Sequence, residues 1–255
     1  MWIDCQHLDA FYKTIRGSYV SQHTQARILS HMPHPRPQRI LGIGYLTHIT
    51  AHILETHTSR SYVSGVPDFL GINKAHIPQL NYPTILLSDD CLPFDDYSFD
   101  LVIALHSLEN THNQQKFLRE LWRVLDHKGA LIVIVPNKLS TWCRSESTPF
   151  SRGNAFTTHQ LMHLFHRSRF APLGFEKFLF APPFLPCTYT ETYTILDRIM
   201  RYLVPTGGLL LGKAEKRLLI HPPQEQEPSL STWLKQKIIP GSVHNRKNKR
   251  GYPEV

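Results

Sequence analysis

The sequence predicts an α/β fold built on a mostly parallel sheet, and three features of one stretch carry that prediction. Phe99 to Leu105 is a near-continuous apolar run with β-branched Val102 and Ile103, short enough for a strand buried on both faces. From Asn113 to Leu125, Phe117, Leu118, Leu121, Trp122 and Leu125 recur at spacings of three and four, with Lys116, Arg119, Glu120 and Arg123 between them. That pattern is an amphipathic helix covering one sheet face. Ala130 to Val135 then reads as a second buried strand, which Pro136 ends. Together they make a βαβ unit with a right-handed crossover. His127, Lys128 and Gly129 are expected to close the helix, placing cationic groups and a left-handed glycine at its C-terminus.

The remaining elements follow in order. Residues 5–33 read as helical, with Leu8, Phe11, Tyr12 and Ile15 on an apolar stripe and Pro33, Pro35 and Pro37 enforcing the stop. Arg39 to Gly44 is the first strand and loop, Ile49 to Thr56 a helix, Ser61 to Val66 a second strand and Ile85 to Leu87 a short third one. Thr157 and Thr158 cap a helix that runs to Arg167, and Leu173 to Ala181 is a sixth strand. A helix over 191–203, Gly207-Gly208 and a strand over 209–214 complete seven strands. The expected organisation is a helical lid over 1–37, a main domain over 38–222 and a basic, flexible tail over 223–255.

The order Leu92-Pro93-Phe94, Asp95-Asp96, Ser98-Phe99-Asp100, Arg123-Val124-Leu125, Gly129 and Pro136-Asn137 resembles the class I S-adenosylmethionine-dependent methyltransferases. Several residues agree at fixed spacing, which a lone Gly-x-Gly does not offer. Shorter cues resemble a bacterial methyltransferase type 11-like subgroup: Phe11-Tyr12, Leu41-Gly42-Ile43-Gly44-Tyr45, Thr148-Pro149-Phe150, Phe156, Gln160-Leu161 and Phe180-Ala181-Pro182-Pro183. The resemblance implies a Rossmann-like three-layer sandwich around a mostly parallel seven-stranded sheet. It also implies S-adenosylmethionine as cofactor, contacted at Gly42, Gly44 and Tyr45 in the first loop, at an acidic residue after strand two, at another after strand three, and at His106 after strand four.

This chain departs from the family pattern at each acidic position. The first loop lacks the family's preceding acidic residue and two later glycines, so Gly42 and Gly44 either admit a ligand or relieve strand-to-helix crowding. Where the family offers a carboxylate to the ribose, the chain reads Val66-Pro67-Asp68, leaving Asp68 as a substitute or a surface-turn residue. After strand three, Asp89 and Asp90 are candidates for the adenine edge or members of a solvated turn. His106 is the candidate catalytic base, its unperturbed pKa suiting proton transfer, with a hydrogen-bonded strand-end histidine as the alternative. Tyr12, Tyr45 and Phe150 line an aromatic acceptor pocket or pack a lid.

With 255 residues and 41% hydrophobic content, the chain has enough apolar residues for one substantial core. No stretch is apolar and long enough to cross a bilayer, and the start lacks the pattern of a secretory signal, so a cytoplasmic location is expected. Cys5, Cys91, Cys143 and Cys187 show no CxxC spacing, and the 16 histidines are scattered, which points to reduced thiols and no metal site. The net charge is +8. Residues 223–255 hold six Lys and Arg against three Glu, a local +3 that attracts RNA weakly or is simply solvated. The expected function is methyl transfer by direct displacement to an unidentified acceptor, a small molecule by preference. The alternative is a non-catalytic binding or regulatory protein that retains the fold.

Overall fold

The computed structural model describes residues 4–34, 37–56, 61–72, 82–185 and 190–217. The chain divides into two units, Met1–Leu218 and Leu219–Val255. Cys187 and the basic tail, including the short helix that Trp233, Leu234, Ile238 and Ile239 suggest, lie outside the described residues.

Seven strands form one sheet: β1 (Arg39–Gly44), β2 (Ser61–Pro67), β3 (Thr84–Leu87), β4 (Phe99–Leu105), β5 (Leu125–Pro136), β6 (Phe170–Phe178) and β7 (Leu209–Lys216). Their spatial order is β3-β2-β1-β4-β5-β7-β6. The first five run parallel, and β7 pairs antiparallel with both β5 and β6. The expected Rossmann-like, mostly parallel architecture is the observed one. The chain leaves β1 toward β2 and returns from β3 to β4, so strand order reverses between β1 and β4, where an open α/β sheet presents its ligand crevice.

Among the described residues six α-helices cover the sheet: α1 (Cys5–Tyr12), α2 (Ile15–Ser30), α3 (Thr47–Thr56), α4 (Gln114–Val124), α5 (Thr158–Arg167) and α6 (Thr190–Leu203). Alternate strand residues feed two separate cores, as buried parallel strands require. Ile40, Leu101, Ile103 and Ile132 join α1, α2, α3 and α6 on one face. Leu41, Val102, Leu131 and Val133 meet Phe117, Leu121, Leu161 and Phe165 of α4 and α5 on the other.

Three expectations require correction. The predicted N-terminal helix is two helices, because Thr14 caps the second through Gly17 N–H while its hydroxyl donates to the Phe11 carbonyl, breaking the chain direction at 13–14. The helix expected to close at His127-Lys128-Gly129 ends at Val124, and β5 begins at Leu125. Gly129 is therefore a strand residue and is not among the positive-φ glycines. Nearby Leu125 pairs with Phe99, an early bridge that extends the strand before the apolar run begins. The sixth strand spans Phe170–Phe178, three residues earlier than its apolar pattern suggests, because pairing with the edge of β7 sets its register.

Candidate active site

The parallel register brings the carboxyl ends of β1, β2, β3 and β4 to one edge. Gly44 pairs with Leu105 and Pro67 with Leu87, so Tyr45, Asp68, Ser88 and His106 all begin the loops that leave that edge. The first loop turns sharply there. Gly44 has φ +102, and a Cβ on it would meet the Leu105 carbonyl oxygen at 1.8 Å. A Cβ on Gly42 would meet the Tyr62 hydroxyl at 2.2 Å. Both glycines thus have reasons within the fold itself, and a substitution at Gly44 reports on folding before it reports on any ligand.

Helix α1 covers this edge. The Cys5 N–H donates to the Leu70 carbonyl at 3.0 Å, Tyr45 donates its hydroxyl to Asp9, and the Tyr12 hydroxyl lies 2.8 Å from His106 Nε2. Burial, with the nearby Tyr45 and Glu109 adding to it, pushes the Tyr12 phenol well above its ordinary pKa. Tyr12 therefore keeps its proton, and we assign its hydroxyl as the donor to Nε2 because Nδ1 is the ring nitrogen that faces a carboxylate. That assignment places the imidazole proton on Nδ1, which faces Glu109 Oε1 at 3.4 Å.

His106 is buried, at 1% exposure, and its backbone is left-handed at φ 56. A non-glycine residue held there costs on the order of 1 kcal/mol, strain that concentrates at functional sites. Glu109 is also buried, and its second carboxylate oxygen has no hydrogen-bond partner. Ser107 Oγ, Asn110 Oδ1 and both ring nitrogens of His48 are likewise shielded and unpartnered. Burial and the adjacent His106 push His48 well below the usual histidine pKa, so it is neutral. Each buried polar group without a partner costs about 1–3 kcal/mol, and a cluster of them at one edge fits a site built for a polar ligand.

The predicted residues separate into two groups. Gly44, Tyr45, Tyr12, Phe150 and His106 come together: Phe150 stacks on His106 with ring centroids 5.4 Å apart, and Tyr12 lies near-parallel to Tyr45 at 5.7 Å. The acidic candidates are dispersed. Asp89 accepts from the Thr111 hydroxyl and from the His112 N–H, binding the β3 loop to the β4 loop. Asp90 is exposed and pairs with Lys116 at 3.0 Å. Asp68 is exposed, and its backbone N–H donates to the Leu87 carbonyl. Asp9 and His48 carry no sequence signal of their own, since only the docking of α1 beside the first loop makes them part of this site.

Comparison with known proteins agrees with the fold. The Methyltransferase domain family model matches residues 42–133. A probable S-adenosylmethionine-dependent methyltransferase of Mycobacterium tuberculosis is 37% identical over 70 residues, 28% of this chain and 24% of that protein. An uncharacterised protein of Methanocaldococcus jannaschii is 51% identical over 47 residues, 18% of this chain and 20% of that protein. These matches therefore span about a quarter or less of the curated relatives' length.

Among solved structures, an S-adenosylmethionine-dependent methyltransferase of Thermotoga maritima, described as a possible histamine N-methyltransferase, superposes with TM-score 0.60 at 17% identity. It covers 83% of this chain and 95% of that one. The complex of the Haloferax volcanii Trm112 methyltransferase activator with a putative methyltransferase gives TM-score 0.63 at 16% identity, with 85% and 99% coverage. The resemblance to the class I S-adenosylmethionine-dependent methyltransferase superfamily holds for the fold and for the matched domain. The Mycobacterium tuberculosis and Thermotoga maritima proteins are described as methyltransferases dependent on S-adenosylmethionine.

The residues present fit such a ligand in chemistry. A glycine-based loop meets the end of β2 beside a cavity lined by Gly44, Tyr45, Ser64 and Thr84, with the Thr84 hydroxyl unpartnered. The cavity is only about 30 Å³, however, against roughly 300–1,000 Å³ for ordinary ligand sites. Cys5 of α1 forms part of its wall. Among the described residues no group of three or more His, Cys, Asp and Glu is placed to hold a metal ion, and no helix is long and apolar enough to cross a membrane.

Proposed function

We propose that this chain is an S-adenosylmethionine-dependent methyltransferase that works by direct displacement on a small-molecule acceptor, with His106 as the base that receives the acceptor's proton. The observation that carries this reading is His106 itself. It is buried and strained at the carboxyl end of β4, with Nδ1 facing Glu109 and Nε2 2.8 Å from the Tyr12 hydroxyl.

When bound, S-adenosylmethionine supplies a sulfonium-linked methyl group. Gly44 and Tyr45 would hold it at the first loop, and the exposed Asp68 is the carboxylate available beyond Pro67. Asp89 acts one step removed, by fixing the loop that carries Thr111. Gly42, whose open side is filled by Tyr62, and Asp90, paired with Lys116, make no contact of their own in this assignment. Glu109 orients the imidazole and stabilises its charge once protonated. Alignment of acceptor and methyl donor can supply about 7–11 kcal/mol of the barrier, so a rigid, water-excluding slot accounts for much of the chemistry. Helix α1 withdraws to admit both molecules and closes to exclude water.

A second reading, a binding protein that retains the fold, is favoured by Pro67, which replaces the ribose carboxylate, and by the small covered cavity. Calorimetric titration with S-adenosylmethionine and S-adenosylhomocysteine separates the two. The wild-type chain should show saturable one-site binding, and Asp9→Asn, which weakens the Tyr45 latch on α1, should tighten it several-fold. Absence of binding by folded samples of both proteins would favour the binding protein.

A further inference from the structure

Tyr12 is placed in a way that packing alone does not require. Phenylalanine would fill the same space without directing a hydroxyl into a buried histidine. Instead, a side chain 94 residues distant in sequence places its hydroxyl 2.8 Å from Nε2, the ring atom that a general base would use. The phenol is also held as a flat guest. Its ring lies 3.7 Å from the His48 imidazole at an interplanar angle of 20°, with Tyr45 close to parallel and Phe11 edge-on at 5.2 Å. The His48 ring nitrogens and Glu109 Oε2 make no hydrogen bond to it.

We propose that Tyr12 is an internal stand-in for the acceptor: the site takes a planar aromatic molecule bearing a hydroxyl, which replaces the Tyr12 side chain when α1 withdraws. The proposal rests on the methyltransferase reading and names the substrate class for that same site. The stacked slot selects a flat ring over an aliphatic alcohol. The 2.8 Å contact to Nε2 matches a hydroxyl donor. A phenol buried here keeps its proton, as Tyr12 does, so the reaction needs the base that the structure provides. In the transfer, the acceptor O–H bond breaks and its proton passes to His106 Nε2. The oxygen then forms a bond to the methyl carbon as the carbon–sulfur bond of the sulfonium donor breaks, its electron pair staying on sulfur. An aryl methyl ether, S-adenosylhomocysteine and one proton result.

The test uses Tyr12→Ala, which opens the slot, and 4-methylphenol, which restores the missing side chain as a free molecule. Toluene and 4-methylaniline are the controls, and binding is measured by calorimetry with S-adenosylhomocysteine present. The expected result is at least a tenfold preference for 4-methylphenol over both controls, loss of that preference in Tyr12→Ala/His106→Gln, and 4-methoxytoluene formed when S-adenosylmethionine is supplied. Tyr12→Val, which also removes the ring and opens the slot, repeats the comparison if the alanine variant does not fold. Equal binding of toluene would show a mere apolar hole and overturn the proposal while leaving the methyltransferase reading standing. Preferred binding of the aniline would overturn the hydroxyl assignment in the same way. No binding of S-adenosylhomocysteine to wild type or variant would overturn the methyltransferase reading and the acceptor assignment with it.

Discussion

The two edges of the sheet are built on opposite terms. At the amino edge, Arg39 at the start of β1 pairs with Asp100 of β4 at 2.6 Å and with Asp126 of β5 at 2.7 Å. Arg123, returning on α4, contacts Glu120, Asp96 and the carbonyls of Leu92 and Phe94. Charges there are partly exposed and multiply bonded. At the carboxyl edge, His48, Ser107, Glu109 and Asn110 leave buried polar atoms unpartnered, and His106 holds a strained backbone. One edge is held by multiply bonded charges, and the other keeps unpartnered polar groups beneath helix α1. Stability and binding should therefore respond to mutation at different ends of the same strands.

The sharpest test of that division is His106→Gln. Methyl transfer should fall by about 10²–10⁴-fold, the usual contribution of a positioned base, while the thermal midpoint changes little. A midpoint that collapses with activity would erase the distinction between the edges.

Gly44→Ala should act in the other sense, although it lies at the carboxyl edge. A Cβ 1.8 Å from the Leu105 carbonyl on a residue with φ +102 should cost about 2–4 kcal/mol of unfolding free energy, read by chemical denaturation. The backbone at Gly44 is thus fixed by its close approach to Leu105, whereas the side chains around it leave polar atoms unpartnered.

At the amino edge, Arg123→Ala should lower stability by about 1–2 kcal/mol, because it strips partly buried carbonyls as well as exposed carboxylates. Activity measured well below the melting temperature should be unchanged.

The smallest expected effect is a pH dependence. Partial burial raises the Asp100 pKa, but hydrogen bonds from Arg39 and from the Gln38 and Arg39 N–H groups outweigh it and hold the carboxyl below its ordinary value. A depressed folded-state pKa contributes stability that is full above the unfolded value near 3.8 and lost as pH falls through the folded one. Asp100→Asn should remove that component, less than about 1 kcal/mol for a site this exposed.

Much of the fold is legible in the amino-acid sequence. The strands Phe99–Leu105 and Arg39–Gly44 and the helix α5 with its Thr157/Gln160 capping box follow from apolar periodicity and local hydrogen bonding, which act over a few residues. The break at Thr14 and the early start of β5 are not legible there, since each depends on a bond or a bridge to another segment. The same division holds for the site. His106 is visible because it follows a central strand, and the carboxyl edge of such a strand is where ligands meet an open sheet.

By itself, then, the sequence determined the layered α/β class, the mostly parallel seven-stranded sheet through its family resemblance, and the edge at which chemistry is expected. Tertiary structure alone decided which side chains meet there. Asp89 and Asp90 were drawn into contacts with Thr111 and Lys116, whereas Asp9, Tyr12 and His48 were brought in from segments far apart in the chain. The physical reason is one of range: backbone periodicity is set by neighbours within a turn or a pleat, while the partner of a buried polar atom is set by whichever segment closes over it.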